Sequence, residues 1–232
     1  MPALMEWRRL FSLKRYCPPE EQAYRRLLAK GWGPKAIVDV GAYHGDWTRL
    51  ARQVWVATPV LMVEAQQDKR KYLERLCGEQ NDLRFEMAVL AAEAGKPVDF
   101  YEMETGSSIF PERSDVPRTV TTLITRTLDE LTVGLPDRLF LKIDVQGAEL
   151  EVLEGGQETL ARSDLVQLEV PFVQYNEGAP TLMEVLGYMA ERGFTPLDIS
   201  GFSRPNGIDL AQVDILFVPT GSSLKRQFFN FR

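Results

Sequence analysis

The acids of this chain recur at the ends of short apolar runs beside glycine turns, a placement suited to gripping a polar ligand. The run Ala36-Ile37-Val38-Asp39-Val40 stops at Gly41 and passes through Ala42-Tyr43-His44-Gly45 into the helix-like Asp46-Trp47-Thr48. Glycine at each end of such a turn lets a ligand lie directly against the main chain. A second run, Val60-Leu61-Met62-Val63, closes on Glu64, nineteen residues beyond Gly45. A carboxylate there can accept hydrogen bonds from both hydroxyls of a ribose. Gly41 and Gly45 match neither the G-x-G-x-x-G of dinucleotide sites nor the G-x-x-x-x-G-K-[ST] of ATP-binding loops. The pattern describes a nucleoside site without a phosphate grip, which suits S-adenosylmethionine (SAM). The competing readings are an ordinary tight βα turn with Glu64 in solvent, and an NAD-linked oxidoreductase, which the missing third glycine disfavours.

Positioning these residues takes alternating elements. The patterning predicts strands at Ala36–Val40, Val60–Glu64, Leu83–Val89, Arg138–Val145, Asp164–Val170, Phe194–Ile199 and Gln212–Val218. Helices are expected at Asp46–Val56, Gln67–Cys77, Ala148–Ala161 and Thr181–Arg192. Between them, 96–103 and 120–128 are strand-like and flank a polar loop, 104–111. Such alternation implies an α/β fold with a parallel sheet and helices on both faces. Ligands collect at the carboxyl ends of the strands. There the sequence puts Asp39, Glu64, Met87-Ala88, Asp144 and Glu169. Four acids on one rim exceed what packing needs. Residues 1–35 read as a helical accessory segment, with a break at Pro18-Pro19 and an amphipathic helix over Glu20–Lys30. Residues 36–220 form one domain and 221–232 a basic tail.

With 232 residues, 44% hydrophobic and 26% charged, the chain has the make-up of a single soluble domain. No apolar run is long enough to span a bilayer, and no signal-peptide block opens the chain. Cys17 and Cys77 are too few for a disulfide framework or zinc site, so a cytoplasmic protein is expected. Residues 1–30 carry seven Lys/Arg against three Asp/Glu, whereas 31–220 carry 17 against 30. So acidic a body repels phosphate, which excludes a nucleic-acid substrate. Trp7, Leu10, Phe11 and Leu13 among Arg8, Arg9, Lys14 and Arg15 suggest a terminal helix. It either packs on the domain or touches a membrane surface or partner. Oligomeric state is not legible.

The stretch Leu139-Phe140-Leu141-Lys142-Ile143-Asp144-Val145-Gln146-Gly147-Ala148-Glu149-Leu150-Glu151-Val152-Leu153-Glu154-Gly155-Gly156 closely resembles the signature of the FkbM family of SAM-dependent methyltransferases. Val38-Asp39-Val40-Gly41-Ala42, Val63-Glu64-Ala65, Gly106-Ser107-Ser108, Thr127-Leu128-Asp129-Glu130-Leu131 and Gln212-Val213-Asp214-Ile215-Leu216-Phe217-Val218 match further landmarks in order. The resemblance covers roughly residues 36–218. It implies a seven-stranded class I, Rossmann-like sheet and methyl transfer to a hydroxyl of a carbohydrate, glycoconjugate or related natural product. Carried onto this chain, its cofactor-binding set is Asp39, Gly41, Ala42, Tyr43, Gly45, Trp47, Thr48, Glu64, Ala65, Met87, Ala88 and Asp144. Three positions depart from the family: Tyr43 and Met87 replace its usual Asn, and Ala65 its frequent Pro.

A hydroxyl is a poor nucleophile until its proton leaves, so a base or a metal belongs near the acceptor. Asp144 is the first candidate base; holding the cofactor's ammonium or capping the next helix is the alternative. Lys142, two residues earlier on the same side of the strand, is read as its ion-pair partner or as a structural salt bridge. Glu169, with Asp144, is a candidate Mg²⁺ site. His44, the only histidine, is expected to line the pocket or face solvent rather than act as a base. Ser107 and Ser108 either touch the ligands or simply make a turn. A non-catalytic binding protein of the same fold, serving a biosynthetic complex, is the alternative function.

Overall fold

A computed structural model describes residues 19–113, 115–174 and 176–226. The expected terminal helix around Trp7–Leu13, Cys17, the break at Pro18 and residues 227–232 of the basic tail lie outside the described residues. Helix α1 (Pro19–Ala29) precedes β1 (Ala36–Val40), α2 (Asp46–Val54), β2 (Val60–Glu64), α3 (Arg70–Glu79) and β3 (Leu83–Met87). An excursion forms β4 (Val89–Leu90), β5 (Pro97–Glu102) and β6 (Thr119–Arg126), followed by α4 (Leu128–Thr132) and β7 (Leu139–Ile143). Then come α5 (Glu149–Glu154), α6 (Gln157–Ala161), β8 (Ser163–Pro171), α7 (Leu182–Glu191), β9 (Phe194–Ser203) and β10 (Gln212–Pro219).

Strands β1, β2 and β7 are buried along their whole length, as continuous apolar runs must be when both faces of a sheet are covered. The main sheet has seven strands in the order β3-β2-β1-β7-β8-β10-β9. The first five run parallel, and β10 runs antiparallel to both β8 and β9. The order reverses direction between β1 and β7, where a crevice opens at the carboxyl edge. Alternate residues feed two cores. Val38, Leu141, Val166 and Phe217 pack with Val152, Leu160, Val185 and Met189 of the helices on one face. Ile37, Met62, Phe140 and Leu165 pack with Ala51, Leu73 and Leu76 on the other.

Helix α1 belongs to that second core. Tyr24 is 0% exposed, its ring meets Trp47, Trp55 and Phe140, and its hydroxyl donates to Gln167 on β8. Gln167 donates in turn to Glu20 at 3.0 Å.

The structure alters several expected bounds. Val89 leaves the third strand and joins a separate sheet, β4-β6-β5, instead. The helix expected over 148–161 is two helices. Asp129, from α4, accepts backbone N–H bonds from Glu158 and Thr159 and so starts α6 afresh. The strand expected to end at Ile199 runs on to Ser203, through irregular pairing with β10. No described helix is long and apolar enough to cross a membrane.

Candidate functional site

The turn from β1 into α2 is held by its neighbours. Gly41 and Gly45 both have φ 78. A Cβ on Gly41 would lie 1.8 Å from the Asp144 carbonyl oxygen, and one on Gly45 2.5 Å from a Leu76 methyl. The glycines therefore let the end of β7 and α3 approach the turn. Tyr43 also has a left-handed backbone, φ 49, which asparagine tolerates better than other side chains. Here the Tyr43 ring stacks on His44 at 3.9 Å between centroids, with Lys69 Nζ 4.8 Å from its centre. Asp39 is 0% exposed and accepts from Thr48 Oγ1 at 2.7 Å, so both lie beneath the turn.

Glu64 ends β2 with its carboxylate already organised. Oε2 accepts the Tyr43 N–H at 2.7 Å and Oε1 the Gln66 N–H at 2.8 Å. Burial pushes its carboxyl above the usual range, and these backbone donors pull the other way. Each oxygen retains accepting capacity toward the crevice. That crevice measures about 580 Å³, within the size range of cofactor sites. Of the residues expected from the sequence, Gly41, Ala42, Tyr43 and Trp47 line it from the turn. Glu64, Ala65 and Ala88 line it from the tips of β2 and β3, and Lys142, Asp144 and Glu169 from the opposite end. Asp39, Gly45, Thr48 and Met87 do not face it.

At that opposite end, Lys142 Nζ lies 3.1 Å from Asp39 Oδ1 and 3.5 Å from Asp144 Oδ2, and donates to the Gly41 carbonyl at 3.1 Å. Burial opposes its charge, but the Asp39 and Asp144 carboxylates outweigh it, and its pKa is raised. Lys142 is a fixed cation. Asp144 is its partly exposed partner, with 37% of the side chain accessible. Glu169 is buried, and burial together with the charges of Asp144, Glu149 and Asp214 pushes its carboxyl well up. It accepts from Gln146 Nε2 at 2.6 Å and from Gln212 Nε2. Among the described residues no group of three or more His, Cys, Asp or Glu is placed to hold a metal ion. The donors on Asp144 and Glu169 are likewise wrong for Mg²⁺, and the expected magnesium site is not supported.

Several lining residues carried no assigned role in the sequence. Phe100, Met103, Ile109 and Glu112 reach the crevice from β5 and the loop after it. That loop is tied to the segment beyond β8 by Glu177 N–H donating to the Pro111 carbonyl at 2.9 Å. Ser107 and Ser108 also line the crevice, but their hydroxyls accept from Met103 and Phe110 N–H groups within the same loop. Gln146 and Gln212 were visible only as members of motifs. A glutamine in the tight turn Asp144-Val145-Gln146-Gly147 was the available signal.

The Methyltransferase FkbM domain profile matches residues 39–196. No curated protein matches the chain. Among solved structures, the Methyltransferase FkbM of Methylobacillus flagellatus KT superposes with a TM-score of 0.51 at 15% identity, covering 78% of this chain. This chain spans only 43% of that one. Magnesium protoporphyrin IX methyltransferase (ChlM) of Synechocystis PCC 6803 with bound SAH, the demethylated cofactor S-adenosylhomocysteine, gives 0.51 at 12% identity, covering 94% of each chain. Its SAM-bound form gives 0.50 at 12% identity, covering 94% of this chain and 92% of that one. These likenesses support the class I sheet, and the profile spans well over half the chain. This chain belongs to the FkbM family of SAM-dependent methyltransferases.

Proposed function

We propose that the chain transfers a methyl group from SAM to a hydroxyl of a carbohydrate, glycoconjugate or related natural product. One observation carries the reading: Glu64, fixed by two backbone N–H groups, shares a single crevice with the half-open carboxylate of Asp144. In this reading Glu64 accepts the ribose hydroxyls, and the main chain of Gly41–Tyr43 borders the amino-acid tail. Ala65 and Ala88 flank the base. Trp47 lines the floor, while Asp39 and Thr48 act from beneath by holding the turn. Bound SAM supplies an electrophilic methyl on a sulfonium, so the protein's work is alignment and proton removal. Asp144 accepts the proton of the acceptor hydroxyl. Lys142 keeps that carboxylate oriented and stabilises its charge. Glu169 backs Asp144 and is too enclosed to take the proton itself.

Glu64→Ala deletes two charge-assisted hydrogen bonds, each contributing about 1.5–3 kcal/mol. Calorimetric titration with SAH should then show binding weakened about a hundredfold or more. An unchanged dissociation constant refutes the cofactor assignment. Labelled SAM incubated with a panel of sugars and glycoconjugates, read by mass spectrometry, tests the acceptor. A methyl group found on nitrogen or carbon refutes the hydroxyl.

A further inference from the structure

Gln146 sits in the turn after β7 with a left-handed backbone, φ 55, ahead of Gly147 at φ 99. For a residue bearing a Cβ this conformation is strained and persists only where the surroundings impose it. Here they do. Asn176 donates from Nδ2 to the Gln146 carbonyl, and a Cβ on Gly147 would lie 2.6 Å from the Ala179 methyl. The turn aims the Gln146 amide into the crevice, where Nε2 donates to Asp144 Oδ1 at 3.0 Å and to Glu169 Oε2 at 2.6 Å. A primary amide nitrogen has two hydrogens and accepts nothing. Both hydrogens are used, one on each carboxylate. The reversed amide would bring its oxygen against Asp144 Oδ1, so the nitrogen is the end that faces the pair. The remaining oxygens are met as well: Glu169 Oε1 by Gln212 Nε2, and Asp144 Oδ2 by Lys142 Nζ. Glu149 on α5, Asp214 on β10 and Glu20 on α1 are further carboxyl groups around the pair.

We propose that Gln146 is the positioning residue of the acceptor end, bridging Asp144 and Glu169 with an amide nitrogen where a divalent cation would otherwise have to sit. Its catalytic meaning, a base aimed at the acceptor, rests on the function proposed above. The bridge itself does not. The pair takes no Mg²⁺ in the natural chain and acquires cation affinity once the amide is replaced.

MnCl₂ serves as the probe, titrated by calorimetry and electron paramagnetic resonance, with and without SAH. The natural chain should bind Mn²⁺ no tighter than about 1 mM, and Gln146→Glu at least about tenfold tighter, because a third carboxylate replaces the donor. Gln146→Met, which removes both hydrogens without adding charge, should melt at a lower temperature. Mn²⁺ should restore its stability while leaving that of the natural chain unchanged, a rescue that a purely packing role would not produce. Three results overturn the proposal. The first is Mn²⁺ binding by the natural chain below about 0.1 mM that Glu169→Gln abolishes. The second is a cooperatively melting Gln146→Glu without added affinity. The third is a Gln146→Met variant that Mn²⁺ does not rescue. Failure of the natural chain to bind SAH would instead overturn the methyl-transfer reading, and the titrations made without SAH still decide the bridge.

Discussion

Lys142→Met is the sharpest probe of how the crevice is held together. Its ammonium sits 3.1 Å from Asp39 Oδ1 and donates to the carbonyls of Val40 and Gly41. At that distance the attraction to Asp39 amounts to about 5 kcal/mol with an effective dielectric near 20, and desolvation of both ions offsets much of it. Removing only the lysine leaves Asp39 wholly buried, with the Thr48 hydroxyl as its remaining donor in this network. An uncompensated buried charge of this kind costs about 3–5 kcal/mol. For a chain of this length that is a fall of roughly 6–20 °C in melting temperature, readable by circular dichroism. Asp39→Asn combined with Lys142→Met removes both charges and should recover more than half of the loss, leaving the two carbonyls short of a donor. Asp144 does not complicate the comparison, because its exposed part can turn to water. A drop in the single variant of less than about 2 °C, or a double variant no more stable than the single, refutes the reasoning.

Three further outcomes can be checked in the same way. Burial, with Glu20 and Asp144 nearby, pushes Asp214 up to about 7, and burial does the same to Glu149. Folded carboxyls raised in this way stabilise below their unfolded pKa and lose that contribution as pH climbs toward 7. Melting temperature should therefore fall from pH 5 to pH 8, and Asp214→Asn should flatten the slope. Gly45→Ala forces a methyl against Leu76 at φ 78 and should cost about 1–3 kcal/mol in a urea titration. Thr181→Ala breaks the capping box with Glu184 at the start of α7, a loss of about 1 kcal/mol by the same assay.

How much of this could be read beforehand depended on the range of the interactions. Ala36–Val40 and Val60–Glu64 were legible to the residue because a buried parallel strand needs an unbroken apolar run, and glycine or an acid marks its end. The helix break inside 148–161 was not, because the carboxylate that starts α6 arrives from Asp129, outside the segment. Glu64, Ala88 and Asp144 were found because strand ends face the crevice. Asp39 was counted with the strand-end acids and Gly45 and Thr48 were grouped with them by motif, and the structure gives all three supporting positions behind the turn. The role of Gln146 depended on a hydrogen bond to Glu169, 23 positions away in the sequence. No local pattern could supply that.

The docking of α1 has a consequence for biosynthesis. Glu20 accepts from Gln167, Arg26 pairs with Asp198 and Lys30 donates to the Leu224 carbonyl. The first described helix is thus anchored by residues 147 to 194 positions further along the chain. Until they emerge, Tyr24 and its aromatic neighbours have no finished cavity to enter, and closing so long a loop is slow. This helix can settle only once β8, β9 and Leu224 have been made, and a nascent chain stalled short of β8 would present that aromatic face to chaperones.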